Sequence, residues 1–218
     1  MGSIDKLVEM SHRVAKYTVG AEGNTSAREG DFFYIKASGY DLRSLNEQHI
    51  IKCDLNGKQV DNFDLRPSIE AEFHSLIYGL TDCSYIAHTH PVETLKILCS
   101  KRIEKFATER LFPDQVVFNG LESCVVEYAH PGPSLKQGME EALRGFFLDR
   151  GYFPDLTLLQ NHGIVCASNS IRNCIFATEI CEKAASIFAS TKTKDLIFLT
   201  DEQKNKIFTD KKEKLRRM

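Results

Sequence analysis

The sequence predicts an α/β fold, a sandwich around a mixed, largely antiparallel sheet. Three observations carry that reading. Helix-like and strand-like segments alternate along the chain. Several strand pairs are joined too briefly for the crossover that parallel strands require. No internal repeat, low-complexity tract or long Pro/Gly/Ser linker divides the chain, so residues 1–218 read as a single domain with a substantial core.

Ile4, Leu7, Val8, Val14 and Ala15 fall at helical spacing over residues 4–18. Gly20 to Ser26 is rich in glycine and hydroxyls and reads as a loop. Phe32 to Ile35 reads as a strand ending at Ser38-Gly39. Ile50 to Val60 reads as a hairpin, with Asn56-Gly57 at its turn. A helix follows Pro67, with Ser68 as N-cap and Ile69, Phe73, Leu76 and Ile77 as its apolar face. The strand Tyr85-Ile86-Ala87-His88 precedes a short helix from Val92 to Cys99. Val116 to Phe118 and Cys124 to Val126 suggest two strands, Ser134 to Leu148 a helix, and Leu156 to Gln160 and Ile164 to Ala167 two further strands. Ile171 to Ser190 is the longest amphipathic helix, and a polar helix closes the chain over about 201–216.

Composition narrows the function. The formal net charge is −2, from 28 basic and 30 acidic residues, which argues against nucleic acid as a partner. The only local basic excess, Lys211 to Arg217, reads as a solvated last helical turn. No apolar run is long enough to cross a bilayer, and the early charges at Asp5 and Lys6 do not suit a signal peptide. Gly2 lacks the Ser or Thr at position 6 of a myristoylation motif. The seven cysteines lack Cys-x-x-Cys spacing and read as reduced core residues of a cytoplasmic protein.

The chemistry concentrates around histidine. On an extended segment His88 and His90 point to one face, presenting two imidazoles side by side. His162 ends a second apolar run, Leu158 to Asn161, just before Gly163. Three histidines from two strand ends match the ligand count of a catalytic zinc site with an open position, although Mn²⁺ and Co²⁺ suit three imidazoles as well. Glu70 and His74 share a helix face at i, i+4. A carboxylate beside a divalent metal pairs a base with a Lewis acid, so Glu70 is the candidate catalytic residue and His74 a supporting one. Gly23-Asn24-Thr25-Ser26, Ser38-Gly39 and Ser68 combine small residues, amides and hydroxyls as phosphate sites do, and Lys36 adds a positive charge. His12, His49 and His130 have no ligand-like partner nearby in sequence.

Taken in order, Gly23-Asn24-x-Ser26, Ser38-Gly39, Pro67-Ser68-x-Glu70-x-x-x-His74, His88-x-His90-Pro91 and Gln160-Asn161-His162-Gly163 resemble the class II aldolase/adducin-head family over roughly residues 5–195. That family includes fuculose-phosphate and rhamnulose-phosphate aldolases, ribulose-phosphate 4-epimerase and methylthioribulose-phosphate dehydratase. The resemblance implies a three-layer αβα fold and a homotetramer with sites at subunit interfaces. It implies zinc on His88, His90 and His162, Glu70 as acid/base, and a phosphate pocket lined by Asn24, Ser38, Gly39 and Ser68. The activity implied is that of a zinc-dependent lyase cleaving a small phosphorylated ketose or a sugar acid through a metal-stabilised enediolate. Glutamate rather than aspartate at position 70 favours cleavage or dehydration over epimerisation, and decarboxylation of a sugar acid needs the same enediolate.

The departures are specific. Ile69 stands where the aldolases often carry a second serine. Those enzymes also place tyrosines, one from the C-terminal tail, at the oxygen of the departing aldehyde, and this chain has no tyrosine after Tyr152. Asp114 lies in the region of another such tyrosine and reads as a solvated turn residue. Two other functions compete: a non-catalytic adducin-like scaffold and a zinc hydrolase. Keeping three histidines and Glu70 argues against the scaffold, and no His-Glu-x-x-His helix supports a metalloprotease.

Overall fold

The computed structural model describes residues 2–217. Its strands are β1 (Asn24–Glu29), β2 (Phe32–Lys36), β3 (Ile50–Asp54), β4 (Tyr85–Thr89), β5 (Cys124–Val126), β6 (Leu156–Leu159) and β7 (Gly163–Ser168). They form one sheet in the order β3-β2-β1-β4-β7-β6-β5. Only the β5–β6 pair is parallel, so the sheet is mixed and largely antiparallel, as the short connections require.

The helices are α1 (Ser3–Val14), α2 (Ala71–Leu80), α3 (Val92–Leu98), α4 (Ile103–Thr108), α5 (Pro113–Asn119), α6 (Pro133–Arg150), α7 (Ile171–Ser190), α8 (Asp201–Thr209) and α9 (Lys211–Arg217). They cover both faces because strand side chains alternate. Ile35, Ile86 and Val165 join Phe73 and Ile77 of α2 and Met139 and Leu143 of α6 in one core. Their neighbours Ala87, Ile164 and Cys166 face the other way, onto α1, α3, α4 and α7. That makes three layers.

Several elements differ from the sequence reading. Val116-Val117-Phe118 lies inside α5 rather than a strand. Such a short apolar run fits either period, and Pro113 at the first helical positions presets the backbone for a helix. The segment read as a loop through Ser26 is already strand from Asn24, because Asn24 to Ala27 pair with Tyr85 to His88. Helix α2 opens at Ala71, with Glu70 at its N-cap position and Ser68 outside it. Ile69 is 65% exposed and does not belong to the apolar face. The hairpin over 50–60 keeps its turn at Gly57 but only the single bridge Cys53–Gln59. The helix expected over about 201–216 is broken at Asp210 into α8 and α9. Short α4 went unread. No helix among the described residues is long and apolar enough to cross a membrane.

Candidate functional site

The sheet brings the candidate residues to one of its ends. His88 lies near the end of β4, and its antiparallel partner Asn24 opens β1. On the other side of β4, Thr89 pairs with Ile164 near the start of β7, so the turn Gln160 to His162 joins the same rim. That turn is tight: Leu159 pairs with Gly163, and Asn161 adopts φ 56°, a left-handed value that asparagine tolerates.

Two glycines let the segments meet. A Cβ on Gly163 would lie 2.5 Å from the Thr89 carbonyl oxygen and 2.6 Å from the His90 ring. A Cβ on Gly23 would lie 2.6 Å from the His88 carbonyl oxygen, and its φ of +66° also suits glycine. Both sit where any side chain would push a histidine segment away.

One nitrogen from each of His88, His90 and His162 lies within 4.8 Å of the other two. The ring of His88 is wholly buried, and its Nδ1–H donates to the Ile164 carbonyl at 2.9 Å. A carbonyl only accepts, so the proton is on Nδ1 and Nε2 is turned into the cluster. Nε2 of His90 lies 3.0 Å from it. The backbone N–H of His90 donates to the Tyr17 carbonyl, and Glu22 Oε2 stands 3.6 Å from His90 Nδ1.

Glu70 completes the group. Oε2 is 3.2 Å from His88 Nε2, and Oε1 is 3.1 Å from His162 Nε2. Burial pushes this carboxyl up, but the imidazoles of His88 and His162 outweigh it and hold it well below the usual carboxylate range. Burial pushes His90 down to about 3, with the charges of His88 and His162 acting the same way. For His88 burial is again the largest influence and lowers it; the Glu70 carboxylate reverses the sign and leaves it raised.

This donor set fits a divalent metal. Three imidazole nitrogens converge, and the buried Glu70 Oε1, though 3.1 Å from His162 Nε2, makes no aligned hydrogen bond. A cation would relieve that crowding of lone pairs and negative charge.

The phosphate candidates divide. Asn24 and Ser68 are buried and in contact: Asn24 Nδ2 donates to Ser68 Oγ at 3.0 Å and to Glu70 Oε2 at 2.7 Å. Ser38 and Gly39 are exposed just past β2. They reach the same rim through the backbone, where Ser38 N–H donates to the Arg66 carbonyl and Ser68 N–H to the Lys36 carbonyl. Lys36 is buried rather than solvated. Its ammonium donates to the carbonyls of Ala21 and Tyr40, tying two loops of the rim together. Asp114 pairs with Arg216 of α9 at 2.6 Å, away from this cluster.

Sequence reasoning missed how deeply Ser26 and Tyr78 take part: both are buried and bonded to each other behind His74. A serine two residues from Asn24 shares its strand face, a signal that was present. Tyr78, at i+4 from His74, was the other.

Residues 5–189 match the family described as Class II Aldolase and Adducin N-terminal domain. The chain is 31% identical over 175 residues to the L-fuculose phosphate aldolase of Methanocaldococcus jannaschii, a match covering 79% of this chain and 86% of that one. A 74-residue stretch is 34% identical to the methylthioribulose-1-phosphate dehydratase of Geobacillus kaustophilus, covering 33% of this chain and 35% of that one. Among solved structures, an L-fuculose 1-phosphate aldolase superposes with a TM-score of 0.80 at 22% identity, covering 98% of this chain and 96% of that one.

Proposed function

The chain belongs to the class II aldolase and adducin N-terminal domain family, and from that membership we propose that it is a metal-dependent aldehyde-lyase cleaving a small ketose phosphate. The observation that carries this reading is the joint one of three converging imidazoles and a buried carboxylate with an oxygen that makes no aligned hydrogen bond. A scaffold has no use for that arrangement, because buried lone pairs without partners destabilise a fold.

His88, His90 and His162 would hold the metal, with zinc the expected ion. A divalent cation there supplies Lewis-acid stabilisation of the negative charge that develops as the carbon–carbon bond breaks. Glu70 moves the proton at the carbon next to the carbonyl, its carboxylate lying within 3.2 Å of two of the three imidazoles. The hydroxyls of Ser38 and Ser68 and the Gly39 N–H take the phosphate, with Asn24 holding Ser68 in place through its Nδ2 and the Lys36 ammonium fixed on the same rim. The similarity to an L-fuculose phosphate aldolase supports a phosphorylated ketose rather than a sugar acid. We further propose a homotetramer in the cytoplasm; the seven unpaired cysteines suit a reducing compartment.

A dehydratase is the second reading, supported by the local match to the methylthioribulose-phosphate enzyme. One experiment separates the two. The zinc-loaded protein is given a panel of ketose 1-phosphates headed by L-fuculose 1-phosphate, and products are followed by NMR. Release of dihydroxyacetone phosphate with an aldehyde supports the lyase. A single product lighter by one water supports the dehydratase, and no turnover of any member by protein with a full metal complement sinks both.

A further inference from the structure

A buried hydrogen-bond chain runs from Tyr78 to Glu70 across the back of the site. The Tyr78 hydroxyl is 2.6 Å from Ser26 Oγ, which is 2.6 Å from His74 Nδ1. His74 Nε2 meets Asn24 Oδ1, and Asn24 Nδ2 meets both Glu70 Oε2 and Ser68 Oγ. Ser26 and His74 have no exposed surface, and Asn24 and Tyr78 have 1% and 2%.

Chemistry fixes the direction of every bond. A carboxylate oxygen only accepts, so Asn24 faces Glu70 with its NH₂ and its carbonyl oxygen faces His74. His74 Nε2 therefore carries a proton. Burial pushes this imidazole down to about 3, the charge of His88 adds to that, and Glu70 opposes both. The neutral ring leaves Nδ1 as acceptor for the Ser26 hydroxyl, whose oxygen accepts from Tyr78. The ring itself is held face-on against Phe73, with centroids 4.7 Å apart, so it cannot swing to another partner without losing that stack.

We propose that His74 is a positioning residue that acts through Asn24. Its Nε2–H, backed by the Ser26 and Tyr78 hydroxyls, locks the amide with NH₂ toward Glu70 and Ser68 and so sets the orientation of the carboxylate. This rests on Glu70 being the base. Without the His74 donor, Asn24 can turn its carbonyl oxygen toward Glu70, where two acceptors repel each other and the base loses its fixed aim.

Neutron diffraction from the deuterated, zinc-loaded protein tests the chain independently of any activity. The expected result is a deuteron on His74 Nε2 and both Asn24 amide deuterons directed at Glu70 and Ser68. A deuteron on Nδ1 alone, or the Asn24 carbonyl facing Glu70, overturns the proposal. Kinetics on the turned-over sugar phosphate supply the second test. His74→Phe, which keeps the ring stacked on Phe73, should lower kcat by about 30-fold with a smaller change in KM and an unchanged metal content. His74→Gln, which offers an N–H and an oxygen in similar places, should restore kcat to within about fivefold of the wild type. Wild-type kcat in His74→Phe, or equal loss in both variants with metal retained, overturns the proposal. If His74→Phe does not fold, Ser26→Ala decides: about a fivefold fall in kcat supports the chain and an unchanged kcat refutes it. Should the wild type turn over no sugar phosphate, the functional reading fails while the deuteron positions still decide the hydrogen-bond chain.

Discussion

Two clusters in this molecule each bury a charged side chain, and they differ in what they leave undone. At Arg110 a guanidinium with no exposed surface donates to the carbonyls of Phe106, Ala107, Glu109, Asn119 and Gly120 and to Ser123 Oγ. Its donors all meet acceptors, and the segment from 106 to 123, α5 included, is tied around it. At the rim of the sheet, Glu70 and three histidines are packed as closely, yet Glu70 Oε1 makes no aligned hydrogen bond and the imidazole nitrogens face one another. Burial of charge is common to both. Asn119 Oδ1 beside the first is also buried without a partner, so what separates a site able to take a ligand from a structural knot is the convergence of three imidazole nitrogens and a carboxylate on one point.

The largest effect that would sharpen this contrast comes from removing ligands. A His88→Ala/His90→Ala double variant should bind no zinc, measured by elemental analysis beside a wild type holding about one ion per chain, and turnover should fall by at least about 10⁴-fold. A wild type that takes up no added metal would leave the rim cluster as mere structure and the comparison would collapse. Glu70→Gln is next. Its amide oxygen can stand in for Oε2 as acceptor of the Asn24 Nδ2–H, but the charge is gone, so kcat should fall about 10³-fold while zinc stays bound. Full turnover in that variant would mean another group moves the proton.

Arg110→Met tests the opposite cluster. Six acceptors would lose their donors inside the protein, so urea denaturation should show a loss of about 3 kcal/mol. The folded fraction should keep wild-type kcat at low temperature. A drop in kcat with the fold intact would mean that the two clusters are coupled, and the division drawn between them would fail.

Legibility in the sequence follows the same division. The rim was readable because its residues are chemically unusual and locally spaced: a His-x-His pair, a His-Gly turn, and a carboxylate four residues before a histidine. The alternation of β4, carried one residue past its end, places His88 and His90 together. Arg110 was unreadable, because its partners are backbone carbonyls, which every residue carries. The burial of Lys36 was unreadable for the same reason, since nothing near it in sequence announces the Ala21 and Tyr40 carbonyls that accept from it. The strand opening at Asn24 was hidden because Thr25 and Ser26 are polar yet fully buried, Thr25 paired with Ser11 of α1 and Ser26 with His74. Val116 to Phe118 failed differently: β-branched and aromatic residues favour strands, and only Pro113 and burial on several sides make that run a helix.

Lys36 also gives the smallest and most pH-specific effect. Burial pushes its ammonium down to about 8, with the carboxylates of Glu70 and Asp41 opposing, whereas the unfolded chain titrates near 10.5. Between those values the unfolded state binds more protons than the folded one, so stability rises with pH across that window. Below pH 8 both states are protonated and the penalty of burying the charge is felt in full. Lys36→Met removes the titration, and the difference between wild type and variant should therefore shift in favour of the wild type as pH goes from 8 to 10. With solvent screening the shift is on the order of 1 kcal/mol. Urea midpoints at the two pH values measure it. A difference that stays flat would mean that the Lys36 charge is met by more than the two carbonyls, and that the phosphate end of the rim is as fully satisfied as the knot around Arg110.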